Sequence, residues 1–413
     1  MSSSMRILLA LFLGVAGGAL LQAYLPHWVS DVEALTGPVG AMWLAGLRMA
    51  VVPLIFALIV TGIGTATEAA AAGGMVARSL GLFLFLLVVS ALIGVILMPA
   101  FLSMMPVDPA AAETLRASVA STATIPETPG LGDWFRSLIP SNILASAANG
   151  DSLQIVIFAI IFGFAITRLP EGPRVMLTDF FRAVGDAMMQ IVHWVIWVAP
   201  VGIFALAFSL GAGADAALAE ALLSYIVMIS VLCIICGLVI YPLVGWFSGV
   251  KVGDFARAAA SAQVVAASTR SSLASLPATI ESADRLGIDK RVSGVVLPMA
   301  VSLLRVTSAS ANLGVAIFIA HIYGVEPSMT TLLAAGALSV LVSLTIVSLP
   351  AQANLYIVIP PLCAVFGVPP EILAVLVAVE TFPDTFRTIS NVTANLGVSA
   401  IVANRDKKKN ETD

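Results

Sequence analysis

Five polar side chains recur at helical spacing near the end of an otherwise apolar chain. Glu380, Asp384, Arg387, Asn391 and Asn395 are separated by steps of three or four, so one broad helix face carries them all, with Thr388 beside it. Asp384 can accept from a cation, Arg387 offers a planar fork to a carboxylate, and Asn391 both donates and accepts. Such a stripe suits a zwitterion that bears an additional carboxylate. Two further arginines, Arg270 and Arg305, stand in apolar surroundings. Arg305 leads the run Arg305-Val306-Thr307-Ser308-Ala309-Ser310-Ala311-Asn312, whose small hydroxyl residues serve equally well for helix packing. Ionised groups at bilayer depth are costly unless they pair or face water, so mutual pairing and a substrate or ion pathway are the two readings of this set.

Those groups must be positioned by elements immersed in lipid. Of 413 residues, 59% are hydrophobic and only 11% charged, against roughly 25% charged in soluble domains. This excess of apolar surface exceeds what a soluble core could hide. The net charge of −4 is small, and no basic aromatic-rich patch suggests nucleic acid. Cys233 and Cys236 form a C-x-x-C inside the apolar run 229–240, which reads as packing rather than as a redox or metal motif. His27, His193 and His321 are not at metal-ligand spacing, so no metal site or cofactor is expected.

Apolar runs place spans at 5–25, 40–64, 79–104, 151–168, 184–212 and 216–246, with two more long helices at 290–322 and 371–403. The first run is read as a retained helix rather than a signal peptide. Segments 253–284 and 328–368 are apolar but interrupted, at Thr269-Arg270-Ser271-Ser272-Leu273-Ala274-Ser275-Leu276-Pro277 and at Ser348-Leu349-Pro350-Ala351-Gln352-Ala353. Each reads as helix, polar break, helix. Such breaks are tolerated at membrane depth only where they are buried in protein or line a cavity, the pattern of a transporter binding site. Most Arg and Lys residues, from Arg6 and Arg78 to Arg405 and Lys409, fall on one side of these spans; Arg116 and Arg136 fall on the other. The positive-inside rule then puts both termini in the cytoplasm of a multi-pass protein of the cytoplasmic (inner) membrane. Loop 105–150 is expected to be a flexible external connector, and the polar tail 404–413 to be disordered.

These residues resemble the glutamate transporter family, the dicarboxylate/amino acid:cation symporters, over nearly the whole chain. The resemblance runs from Arg48-Met49-Ala50-Val51-Val52-Pro53-Leu54-Ile55-Phe56 to Ala400-Ile401-Val402-Ala403 and includes 140–164 with Ala148-Asn149-Gly150. Arg270-Ser271-Ser272 with Leu276-Pro277 is similar to the tip of the family's first re-entrant hairpin. Asp384-x-x-Arg387-Thr388-x-x-Asn391-Val392-Thr393 is similar to its substrate-binding stretch. The resemblance implies an all-α polytopic membrane protein of eight transmembrane helices plus two re-entrant hairpins, an elevator-type fold assembled as a homotrimer. It implies scaffold segments 1–78 and 105–215, transport-domain segments 79–104 and 216–403, and a cytoplasmic tail 404–413. It further implies that Arg387 holds a side-chain carboxylate, that Asp384 holds an amino group, and that Asn391 and Ser272 contact the α-carboxylate. Arg270, Ser271, Ser308, Pro350, Gln352 and Thr388 complete the expected substrate-binding set. Keeping both Asp384 and Arg387 favours aspartate or glutamate; a C4-dicarboxylate is the alternative.

The chain departs from the family where cations bind. Leu304 and Val306 replace the expected Asn and Asp of the seventh helix, Asn395 stands where an Asp is usual, and Leu86 and Leu87 stand where hydroxyls are expected. Hard cations need oxygen ligands, so the sodium sites are expected to be degraded. Arg305 is the expected built-in cation, with Glu380 and Asn395 as further charge or coupling positions. Proton symport through Glu380 or Asp384, uniport and exchange are all allowed. The second hairpin tip carries fewer glycines than the family's, so its gate is expected to close differently, with Gln352 reaching substrate.

Other classes fit less well. A hydrolase would need a nucleophile with a base in reach, and no catalytic motif surrounds Ser271, Ser272 or His321. A channel would need rings of like charge or carbonyl filters, whereas acid and base alternate here on one helix. The chain is therefore expected to be a carrier and not an enzyme, with the lipid bilayer and a small acidic solute as its partners.

Overall fold

The computed structural model describes residues 3–71, 74–118, 139–149, 151–213, 216–345 and 351–410. Every regular element among them is helical. Three helices are long and apolar enough to cross a bilayer: Gly74–Met104, Ala219–Phe247, and the stretch Lys290–Ile322 taken whole. The pair Glu171–Trp197 and Ala199–Ser209, bent by 55°, makes a fourth. Shorter apolar helices lie at Leu9–Tyr24, Val52–Gly64, Leu153–Thr167, Met329–Leu344 and Leu355–Phe366. Large side chains such as Phe12, Met42, Ile96, Trp194, Trp197 and Trp246 are more than half exposed. Water would not tolerate so much bare apolar surface, and lipid does. The protein is a multi-pass membrane protein.

One group of helices gathers at the long element α2 (Val29–Ala71): α6 (Ser152–Thr167), α7 (Glu171–Trp197) and α8 (Ala199–Ala212) pack on it, and α1 (Ser3–Tyr24) packs on α8. Small residues bring these backbones together. A Cβ on Gly211 would lie 2.1 Å from the Val15 carbonyl oxygen, and one on Gly18 would lie 2.1 Å from that of Phe208. Close crossing through small residues is what substitutes for a hydrophobic drive between helices in lipid. Trp43 Nε1 donates to the Val195 carbonyl (3.0 Å), fixing α2 against α7.

The second group gathers α3 (Gly74–Met104), α9 (Ala216–Phe247), α12 (Lys290–Leu303), α13 (Val306–Ile322) and α17 (Thr381–Asn410). Two helical hairpins join it: α10 (Val252–Thr269) with α11 (Leu276–Arg285), and α14 (Met329–Thr345) with α15 (Ala351–Phe366). Both interrupted segments therefore fold back as helix pairs, and α10 and α11 both rest on α17. Gln263 Nε2 pins α10 by donating to Tyr241 Oη (2.9 Å) and to Thr393 Oγ1 (2.8 Å). Cys233 and Cys236 are buried and unbridged; the Cys236 Sγ lies 3.1 Å from Ser310 Oγ, at the crossing of α9 and α13.

Several sequence expectations need correction. The expected continuous helix 290–322 is broken at Leu304, which is extended (ψ 107), and at Arg305, which is not helical either (φ −117, ψ 79). The span expected at 184–212 begins at Glu171 and bends at Val198, because Pro200 follows at the start of α8 and cannot donate into the preceding turn. The helix expected at 371–403 is divided at Glu380, after the short α16 (Leu373–Val379). It then runs on to Asn410, so most of the expected disordered tail is helix. Asp406 on that extension pairs with Arg78 at the start of α3 (3.0 Å). The expected flexible connector carries two helices, α4 (Pro109–Ser118) and α5 (Ile143–Asn149). Ala111 and Leu115 of α4 are fully buried against α9, which is the packing its composition concealed.

Candidate functional site

The site forms where the break between α12 and α13 meets the face of α17. A helix that begins at Val306 leaves its first backbone N–H groups without intrahelical acceptors. Asn391 answers this need: its Oδ1 accepts from the Thr307 backbone N–H (3.1 Å) and from Thr307 Oγ1 (3.1 Å). The Ser308 N–H turns back to the Arg305 carbonyl (2.8 Å). The α13 N-terminus, with its partial positive charge, thus opens toward the polar face of α17.

A cavity of about 20 Å3 lies there, lined by Arg305, Thr307, Ser308, Asp384, Arg387, Thr388 and Asn391. Six of these were expected from sequence; Thr307 stood in the quoted run but was given no role. Space of this size holds about one water, so an amino acid or dicarboxylate enters only if the walls part.

Arg387 is only 6% exposed. Its Nη1 donates to Asn312 Oδ1 (2.7 Å), and its Nη2 lies 2.8 Å from Glu380 Oε1. The second contact is an ion pair whose alignment falls short of a hydrogen bond, and Arg387 Nε has no acceptor among the described residues. The guanidinium therefore keeps donors in hand for another carboxylate. Glu380, 1% exposed, accepts from Tyr225 Oη at 2.5 Å. Asn312 is itself held by donating from Nδ2 to Ser308 Oγ (2.9 Å). A chain Tyr225–Glu380–Arg387–Asn312–Ser308 so ties α9, α17 and α13 around the cavity. Asp384 is half-buried and shares the cavity lining with Arg387 and Arg305.

The remaining expected residues lie elsewhere. Arg270, Ser271 and Ser272 form the tip of the first hairpin and do not line the cavity. Arg270 is left-handed (φ 51), the only non-glycine with positive φ among the described residues, a conformation that is held only where the surroundings over-determine it. Ser271 Oγ accepts from the Ala274 N–H (3.2 Å), and the Ser271 carbonyl accepts from Ser275 Oγ (2.8 Å), so this serine builds its own turn. Asn395 is fully buried deeper along α17, and neither of its amide atoms has a partner among the described residues. Pro350 lies outside the described residues; Gln352 is in the first turn of α15, and its side chain is likewise outside them. Sequence reasoning missed Tyr225 and gave no role to Asn312. Tyr225 stands 155 positions from its partner and carries no local signal, whereas Asn312 was visible as an amide within an apolar helix. Among the described residues no hydrogen bond joins His321 to Ser271 or Ser272; His321 lines a separate cavity with Pro99, Ser103 and Glu326.

The sequence is similar to several known carriers. It is 28% identical to the "Proton/glutamate-aspartate symporter" of Escherichia coli, over 98% of this chain and 93% of that one. It is 27% identical to "C4-dicarboxylate transport protein 2" of Pseudomonas aeruginosa, over 97% and 89%. It is 23% identical to the "Proton/sodium-glutamate symport protein" of Bacillus caldotenax, over 98% and 95%. The family model described as the sodium:dicarboxylate symporter family matches residues 4–405, and the chain belongs to that family.

Proposed function

We propose that the protein is a secondary carrier of an acidic amino acid, aspartate or glutamate, across the cytoplasmic membrane. The observation that carries this reading is the single cavity faced by a carboxylate, two guanidiniums and a helix N-terminus: Asp384, Arg387, Arg305 and the start of α13. Arg387 takes the side-chain carboxylate through its unused donors, Asp384 takes the ammonium, and Asn391 with Ser308 meets the α-carboxylate. The names of the relatives, which include glutamate-aspartate and dicarboxylate carriers, support this solute class. Homotrimeric assembly and elevator-like movement of the α3, α9–α15 and α17 group against the α1, α2, α6–α8 group belong to the same proposal. The concentration of helix contacts within those two groups supports the movement.

A C4-dicarboxylate is the second reading, favoured by the two guanidiniums that share the cavity. A competition series against labelled aspartate separates the two: glutamate displaces it at concentrations far below those needed of succinate or malate. Displacement by succinate at the lower concentration overturns the first reading in favour of the second. Cytoplasmic placement of the C-terminal end is supported by the gathering of Arg78, the loop after α9 that leads to Lys251, the loop after α11 and Asp406 at one end of the bundle.

A further inference from the structure

The family's description includes sodium, and the helix break itself, at Leu304, Arg305 and Val306, offers that ion no side-chain oxygen. A hard cation is held by several oxygens, anionic ones above all. The unwound turn instead supplies Leu304 and Val306, both buried, on either side of Arg305. Leu86 and Leu87 of α3 are buried in the same apolar cluster as Leu304 and Val306. Asn395, the amide buried beyond the cavity, is uncharged, and neither of its amide atoms has a hydrogen-bond partner among the described residues. No group of three His, Cys, Asp or Glu side chains suited to a metal occurs among the described residues. The two carboxylates in the neighbourhood already have guanidiniums beside them: Glu380 lies 2.8 Å from Arg387, and Asp384 lines the cavity together with Arg387 and Arg305.

The charges decide the matter. Of the charged groups that line the cavity, Arg305 and Arg387 stand against Asp384 alone, a net +1, while Glu380 contacts Arg387 from outside the lining. An acidic amino acid carries two carboxylates and one ammonium, a net −1, and brings the loaded site to zero. A sodium ion would leave it at +1, in a setting where unbalanced charge is costly.

We propose that Arg305 is a tethered cation that stands in for a coupling ion, so that the acidic amino acid loads without sodium. This rests on the acidic-amino-acid reading above. The test uses the purified full-length protein in detergent, with sodium or choline chloride at about 0.1 M and equal ionic strength. Two readouts are taken: thermal unfolding of the protein alone, and calorimetric titration with L-aspartate. Sodium and choline are expected to give the same unfolding temperature, because an ion that binds only the folded protein would raise it. The aspartate dissociation constant is expected to agree within threefold between the two salts. Arg305→Lys, which keeps the charge, is expected to retain sodium-free binding within tenfold. Arg305→Met is expected to weaken it by more than tenfold in both salts. A sodium-specific rise in unfolding temperature, or aspartate binding that tightens more than tenfold with sodium, overturns the proposal. So does a folded Arg305→Met protein that binds as the parent does. Absence of aspartate binding in both salts, with unfolding temperatures unchanged, strikes at the substrate reading instead and removes the ground on which the proposal stands.

Discussion

Replacing Glu380 by glutamine tests how Arg387 is held. The carboxylate is 1% exposed and lies 2.8 Å from Nη2 of a guanidinium that is itself buried. Removing one partner of a buried ion pair leaves an uncompensated charge, which typically costs about 3–5 kcal/mol. Part of that loss is absorbed here, since Asn312 Oδ1 still accepts from Nη1 and Tyr225 Oη can still donate to the new amide. A destabilisation of about 2–3 kcal/mol in the substrate-free protein is therefore expected. An incoming carboxylate supplies the missing anion. Aspartate should thus bind Glu380→Gln more tightly than the parent, by roughly tenfold for each 1.4 kcal/mol recovered, and should raise its unfolding temperature by more. Thermal unfolding with and without aspartate, together with calorimetric titration, reads both quantities. A variant as stable as the parent that binds aspartate more weakly would refute the reasoning. Glu380 would then orient Arg387 for the substrate rather than compete with it.

Asp384→Ser should weaken aspartate and glutamate by at least tenfold while leaving succinate within a few-fold, as read by competition, because only the amino acids present an ammonium. Asn391→Leu removes the acceptor of two bonds from Thr307; each stranded donor costs about 1–3 kcal/mol, so both unfolding temperature and aspartate affinity should fall. Gly211→Leu would drive a side chain into the Val15 carbonyl, 2.1 Å from the new Cβ; overpacking of about 1–3 kcal/mol or more should lower the unfolding temperature. Succinate, with one negative charge more than aspartate, should take up about one proton on binding, visible as a buffer-dependent calorimetric enthalpy. Its affinity should therefore weaken as pH rises, while that of aspartate stays flat.

The stripe from Glu380 to Asn395 was legible because helical spacing puts its members on one face, and α17 places Asp384, Arg387, Thr388 and Asn391 on the same cavity. Both hairpins were legible from polar residues within apolar segments. The break at Leu304 and Arg305 was not. Both neighbours of Arg305 are apolar and neither is glycine or proline, so nothing local announces the end of a helix. The break is held from a distance, by Asn391 capturing Thr307 across 84 positions. The Tyr225–Glu380 contact was hidden for the same reason. The connector after α3 misled because Ala-rich segments read as flexible, whereas Ala111 and Leu115 give α4 an apolar face that α9 covers. The tail misled because its polarity concealed a helix continuing from α17 and anchored by Asp406 to Arg78.

The proposed transport depends on Asp384, Arg387 and Arg305 together receiving an acidic amino acid. Uptake of labelled aspartate into proteoliposomes tests it most directly, with parent protein and Arg387→Lys side by side. Saturable uptake that unlabelled aspartate and glutamate abolish, and that Arg387→Lys reduces by at least tenfold for want of the planar fork, is the predicted result. Uptake that does not saturate, or that Arg387→Lys leaves at the parent level, would contradict it.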